Sequence, residues 1–347
     1  MISRQYCWSL PLVVGFVAAS STGFSTAAEV HLGMGFRVGE VTQTSAIVWT
    51  RVTATSEPNW NGTPPDPRTS PTRVMVKNAE IPADRYEGAM PGAPGQVRII
   101  WSNNPELTAP QISGWTDVDS QRDFTHQFSL TNLRPRTKYW LQVEARNADD
   151  TSRTKSAVGS FSTSADRGTW QDVTFTVTTC QQYYERDDPR GFKIYPAMAA
   201  LRPDFFAAAG DNVYYDRDNP RANSIPLCRL HWNRMYALPQ IVEFCRNVPG
   251  YWEKDDHDTF FDDCWPSYPA PWIAPLTYAE GVRVYREQVP IGSQFYRTIR
   301  WGRGLQIWLV EVRDFRSPNT MPDGPFGDRS RNSGCCGLCG KAMPRSR

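Results

Sequence analysis

Apolar and polar positions change their pattern once along the chain, at about residue 165. Before it, short runs of β-branched and aromatic residues alternate with Pro-, Gly- and Asn-rich turns. Residues 45–52 (SAIVWTRV), 97–101, 125–130, 139–145 and 158–162 read as strands, which predicts an all-β sandwich over 30–163. Residues 57–71 are rich in Pro, Asn and Ser and read as an exposed loop. A polar stretch, 162–172, reads as a linker.

After it, strand and helix patterns alternate, as in an α/β domain. Residues 173–179 and 204–209 are apolar strands, with a helix expected over 192–201 between them. Residues 226–247 have helical spacing that Pro239 should break. A further helix is expected over 278–288. Residues 295–300 and 305–312 read as a hairpin about Gly302 and Gly304.

The stretch DFFAAAGDNVYYD, 204–216, organises the second half. An apolar run ends at Gly210, and Asp211 follows at once. A carboxylate just past the C-terminal end of a buried strand lies where open α/β sheets hold ligands. Tyr214, three residues on, can bring a phenol to the same point. An Asp and a Tyr oxygen together suit a hard trivalent metal such as Fe(III). A turn-capping Asp and a core Tyr fit the same letters.

Two more polar clusters sit at matching places. Cys180 ends the strand before Asp211's, and successive strands are neighbours in a parallel sheet. A thiolate at a strand end can ligate a metal. Asp255, Asp256, His257 and Asp258 follow an aromatic segment. One of these carboxylates can bind a second metal, and His257 can contact phosphate or act as a general acid. His31 and His126, in the first half, read as structural.

Composition narrows the class. Apolar residues make up 40% and charged residues 21%, enough for a real core, and 347 residues allow about two domains. The net charge of +2 gives no case for nucleic-acid binding. Arg4, an apolar run over 7–19 and small residues before Glu29 read as an export signal over 1–28, too short for a confident membrane span. Eight cysteines are too few and too irregular for a disulfide scaffold, and whether Cys228 and Cys245 pair is left open. Oligomeric state is also open.

VTTCQQYY, AAGDNVYYD, WEKDDHD and VEVRDFR, in that order, resemble the alkaline phosphatase D (PhoD-like) family of metallophosphatases. Its N-terminal pattern ends in W-T-R, matched here by Trp49, Thr50 and Arg51. The resemblance implies a fibronectin III-like sandwich (30–163) and a partial metallophosphatase domain (170–326) of incomplete four-layer α/β/β/α type. It implies Fe(III) held by Cys180, Asp211 and Tyr214, and Ca(2+) held by Asp211 and Asp256. It casts His257 as a catalytic phosphate contact and Arg313 as a residue that orders the site or binds ester oxygens. The implied substrate is a phosphate ester, and the products are an alcohol and phosphate or a phosphomonoester.

The chain departs from the family pattern at Asn212, Lys254 and Asp258. It has no G-D-x-H and no His after His257. Residues 327–347 look foreign to the family, and Cys335, Cys336 and Cys339 lie there without a fourth ligand. Codons exist for 331–337 that, one frame over, spell A-E-Q-R-V-L-W, where the family continues G-x-E-Q-x-x-W-L. A frameshifted, truncated phosphatase with weak or no turnover is the expectation. A non-catalytic envelope binding protein is the alternative.

Overall fold

The structure, a computed structural model, describes residues 29–64 and 78–321. The leader, the tail with its three cysteines, and part of the Pro-rich loop fall outside that range. In chain order the strands and helices are β1 (Phe36–Gly39), β2 (Ala46–Arg51), β3 (Gln96–Ser102), β4 (Gln111–Ile112), β5 (Thr116–Asp117), β6 (Thr125–Leu130), β7 (Lys138–Arg146) and β8 (Thr154–Ser162). Then come β9 (Phe175–Thr178), α1 (Ile194–Ala200), β10 (Phe205–Ala209), α2 (Ile225–Tyr236), α3 (Pro239–Cys245), β11 (Gly250–Glu253), α4 (Tyr278–Gln288), β12 (Arg297–Trp301) and β13 (Leu305–Leu309). An N-terminal β-sandwich is followed by an α/β domain.

The helical stretch divides at Pro239 as its chemistry requires. Pro239 lacks an N–H, so it is tolerated only in a first turn, and it opens α3 instead of continuing α2. The capping box on α4 uses Thr277 and Glu280, which satisfy each other's backbone N–H.

One sandwich sheet has the order β4-β3-β7-β8, with β5 on β3. The other does not stop at the sandwich. Its order is β6-β2-β1-β11-β10-β9, so three N-terminal strands continue into three C-terminal ones. The join is a single parallel pair, Gly39 beside Gly250. Both residues are crowded: a Cβ at Gly39 would meet Pro290 at 2.7 Å, and one at Gly250 would meet Phe206 at 2.5 Å. The boundary seen in the pattern near residue 165 is thus a boundary of the chain, not of hydrogen bonding. The start of the expected linker is packed, with Thr163, Ser164 and Ala165 buried, while 166–170 is exposed.

Alternation of side chains along a strand assigns the two faces. Phe36, Val38 and Val48 point into the sandwich core, which also holds Phe205, Tyr251 and Trp301. Trp49, Phe206, Ala208 and Trp252 point into the core beneath the helices. Trp49 Nε1 donates to the Glu287 carbonyl at the end of α4 (2.8 Å). Arg51 forms a two-pronged pair with Asp123 and donates to the Met90 carbonyl. Trp49 thus bonds directly across the two halves, and Arg51 does so through Asp123, which also accepts from Asn233 and Gln288 of the second half.

On the opposite face the hairpin β12–β13 covers Phe205 and Tyr251, and Trp301 Nε1 donates to the Tyr251 hydroxyl (2.7 Å). It leaves the edge strand β9 open, with Val177 57% exposed. The four described cysteines are free thiols, so Cys228 and Cys245 do not pair here. Among the described residues no helix is long and apolar enough to cross a membrane.

Candidate metal centre

β9, β10 and β11 are adjacent and parallel, so their C-terminal ends share one edge of the sheet. The loops leaving those ends carry Cys180, then Asp211 and Tyr214, then Asp256 and His257. Strand spacing of about 4.8 Å brings donors on neighbouring loops within reach of one ion.

The backbone is bent to do it. Cys180 and Asp211 both have left-handed φ, +58° and +52°. Gly210 has φ +94°, and a Cβ there would lie 2.6 Å from that of Asp255. Non-glycine residues in this region carry strain that concentrates at functional sites. The turn is tied by Gln181 N–H donating to the Asp211 carbonyl (2.9 Å).

Three donor types converge on Asp211. The Cys180 thiol lies 3.5 Å from Asp211 Oδ2, and the Tyr214 hydroxyl donates to the same oxygen at 3.0 Å. Asp211 Oδ1 is buried and has no hydrogen-bond partner. A buried carboxylate oxygen without a donor is costly, and a cation satisfies it. Burial raises the Asp211 carboxyl above its usual range, with Asp256 and Asp255 adding against His257. Burial, then Asp211, pushes the Tyr214 phenol far upward. A metal would reverse both effects by favouring the anions. The donor set of thiol, carboxylate and phenol fits a ferric ion.

Asp211, Asp256 and His257 also place ligand-type atoms within 4.8 Å of one another. Geometry alone admits His257 as a ligand, but its hydrogen bonds argue otherwise. Nδ1 lies 2.7 Å from Asp216 Oδ1, and Nε2 lies 3.3 Å from Asp262 Oδ1. A ring facing a carboxylate at each nitrogen carries a proton on both and offers no lone pair. Burial disfavours that charge, but Asp216, with Asp211 and Asp256, outweighs it and raises His257 to about 9. His257 is thus arranged as a proton donor.

Arg313 joins from the segment after β13. Its Nε meets Asp255 Oδ1 at 2.5 Å, Nη2 meets Asp256 at 3.3 Å and Nη1 meets Asp263 at 3.2 Å. All three nitrogens face carboxylates of the β11 loop, so Arg313 orders that loop. It is held in turn by Glu311, which accepts from the Arg313 N–H and pairs with the buried Lys254 (both 2.7 Å). All six candidate residues therefore lie in one connected cluster.

Two family models match the chain: the PhoD-like phosphatase N-terminal domain over residues 18–165 and PhoD-like phosphatase over 175–338. The chain belongs to the PhoD-like phosphatases. A structure of PhoD has the same fold as this PhoD-like chain, with TM-score 0.62 at 17% identity over 87% of this chain. The chain spans 56% of that protein's length. Purple acid phosphatase PPD1 from yellow lupin seeds aligns with TM-score 0.49 at 11% identity, over 83% of this chain and 46% of that one. A fibronectin type III domain from human KIAA0970 aligns with TM-score 0.21 at 9% identity, over 41% of this chain and 81% of that one. Comparison with curated proteins returned no match.

Sequence reading passed over several partners. Asp216, which closes the organising stretch, holds His257, and its other oxygen accepts the Asp262 N–H (3.1 Å). Asn212, noted as a departure, and Asp258, noted as a departure and as one of the carboxylates of 255–258, bind each other: Asn212 gives Asp258 both its backbone and side-chain N–H (3.1 and 2.7 Å). Asp258 is fully buried, and that burial raises it to about 7. Density of Asp across 255–263 was the available signal, but it could not say which Asp faces which partner.

Proposed function

We propose that this chain is a metal-dependent phosphoric ester hydrolase acting on phosphomonoesters or phosphodiesters. The observation that carries the reading is the convergence of Cys180 and Tyr214, from adjacent strand ends, on Asp211 Oδ2, while the second oxygen of that carboxylate, Oδ1, is buried without a hydrogen-bond partner. Cys180, Asp211 and Tyr214 would hold Fe(III), and Asp211 and Asp256 would hold Ca(2+). Such a pair, when bound, supplies Lewis acidity that activates water and neutralises phosphoryl oxygens.

The chain's own residues do the rest. Asp216 fixes His257 with its Nε2 proton outward, able to contact a phosphoryl oxygen or protonate the leaving alcohol. Arg313 holds Asp256 by bridging it to Asp255 and Asp263. Asp258 fixes the Asn212 backbone next to Asp211. The leader pattern over 1–28 supports export. The described residues offer the second ion only two carboxylates, which supports slow turnover.

The test is purified protein assayed with a chromogenic phosphodiester plus iron and calcium, alongside its visible spectrum. A phenolate-to-iron absorption band and turnover are expected. Asp211→Ala should lose the band and reduce turnover more than about 100-fold, since even outer-shell partners of metal ligands cost 10–100-fold. Protein without iron or band, with turnover indifferent to Asp211→Ala, would refute the reading and favour a binding protein.

A further inference from the structure

Asp262 lies beside the metal cluster and holds none of the proposed ligands. One of its oxygens, Oδ1, receives two donors from different loops: His257 Nε2 at 3.3 Å and Arg217 Nη2 at 3.0 Å. Two N–H donors, an imidazole and a guanidinium, converging on one anionic oxygen is the arrangement that recognises a phosphoryl oxygen. Arg217 follows Asp216 on the β10 loop, and its guanidinium also lies over the Tyr214 ring, 6.0 Å from the centroid.

The contrast within the trio decides the reading. His257 is only 5% exposed, and Asp216 behind it 2%. Both oxygens of Asp216 are used, one on His257 and one on the Asp262 backbone N–H. The backbone at 262 is therefore anchored. The Asp262 and Arg217 side chains, by contrast, are each 50% exposed. Exposed ion pairs are weak and exchange readily with solvent. The acceptor is thus loosely held, while the imidazole it covers is firmly held.

The geometry points to Asp262 as a built-in stand-in for the substrate: its carboxylate occupies the His257 and Arg217 donors and is displaced by a non-bridging oxygen of a phosphate ester. This rests on the hydrolase reading and adds two residues to it. Arg217 becomes a substrate-contacting residue, and Asp262 becomes a competitor that sets affinity. Displacement needs only a rotation of the Asp262 side chain, because its backbone bond to Asp216 is unaffected. The pairing also keeps the His257 proton directed at the position of the phosphoryl group. No bond is made or broken in the exchange.

The consequence is quantitative. A ligand that must displace a bound group has its apparent affinity reduced by the fraction of protein in the open state. The exposed contact to Arg217 and the contact between half-exposed Asp262 and buried His257, each of ordinary strength, correspond to about threefold to thirtyfold in that fraction. A general loss of negative charge would also favour phosphate, so the coupling between Asp262 and Arg217 is the discriminating quantity.

Binding of inorganic phosphate is measured by titration calorimetry on the full chain as purified, on Asp262→Ala, on Arg217→Ala and on the double variant. Thermal melts check that each variant folds, which half-exposed positions should allow. Asp262→Ala should bind phosphate about threefold to thirtyfold more tightly than the parent, and Arg217→Ala less tightly. In the Arg217→Ala background the gain from Asp262→Ala should shrink several-fold. No gain on removing Asp262, or a gain of equal size in both backgrounds, would overturn the displacement and leave the hydrolase reading standing. Failure of all four proteins to bind phosphate would overturn both.

Discussion

Lys254 is the strongest single test of how the site is held. Its side chain is fully buried and bound to Glu311 Oε1 at 2.7 Å, to Asp314 Oδ1 at 2.9 Å and to the Tyr278 hydroxyl at 3.3 Å. Burial alone would lower its pKa, but Glu311 and Asp314 outweigh that and raise it, so it is charged. Glu311 Oε1 also accepts the backbone N–H of Arg313 and Asp314. One buried ion pair thus ties the strand end that precedes Asp255 to the segment that delivers Arg313. Lys254→Met leaves the Glu311 carboxylate buried without its cation. Removing one member of a buried pair costs about 3–5 kcal/mol, a large part of the usual 5–15 kcal/mol of stability. Glu311→Gln keeps an oxygen for the two N–H groups and removes the charge. The double variant should therefore be more stable than Lys254→Met alone, with a coupling of about 1–3 kcal/mol. Urea unfolding followed by tryptophan fluorescence measures this. A cost below about 1 kcal/mol for Lys254→Met, with no coupling to Glu311→Gln, would show that the pair does not hold this region.

Two further outcomes follow from single residues. Gly210→Ala should destabilise by about 2–4 kcal/mol, because a side chain is strained at φ +94° and its Cβ would sit 2.6 Å from Asp255 Cβ; equilibrium unfolding checks it. His231 is buried between the Pro220 carbonyl and Arg234, and burial, then Arg234, holds its pKa well below the usual value. The unfolded chain protonates first, so stability is full above pH about 6.5 and falls below it, by at most about 1.4 kcal/mol per pH unit for this one group. His126, also held low by burial, adds in the same direction. Asp258 and His257, both raised, act in the opposite direction in the parent, so the readout is the difference in urea-derived stability between the parent and His231→Gln from pH 7.5 to 5, which should fall as pH falls; a difference independent of pH refutes the assignment.

Much of the site was legible because its donors sit at strand ends, where a break in an apolar run marks position. FFAAA followed by Gly-Asp located Asp211, and VTTC located Cys180, without any knowledge of their distance. The four-residue strands β1 and β11 were not legible. FRVG and GYWE are too short to show a period, and each contains a Gly. Missing them hid the one pairing, Gly39 with Gly250, that makes a single sheet of two apparent halves.

By itself the sequence determined the order of elements, the Pro239 break, and the donors that chain order places after adjacent strands, since these depend on local pattern and near neighbours. Tertiary structure alone decided which carboxylate serves which partner. Asp216 with His257, Asp255 with Arg313, and Glu311 with Lys254 lie 41, 58 and 57 residues apart. Every Asp presents the same chemistry in a one-dimensional string. Only the packing of three parallel strands and the segment after β13 determines the few ångströms that distinguish a candidate metal donor from the residues that orient it.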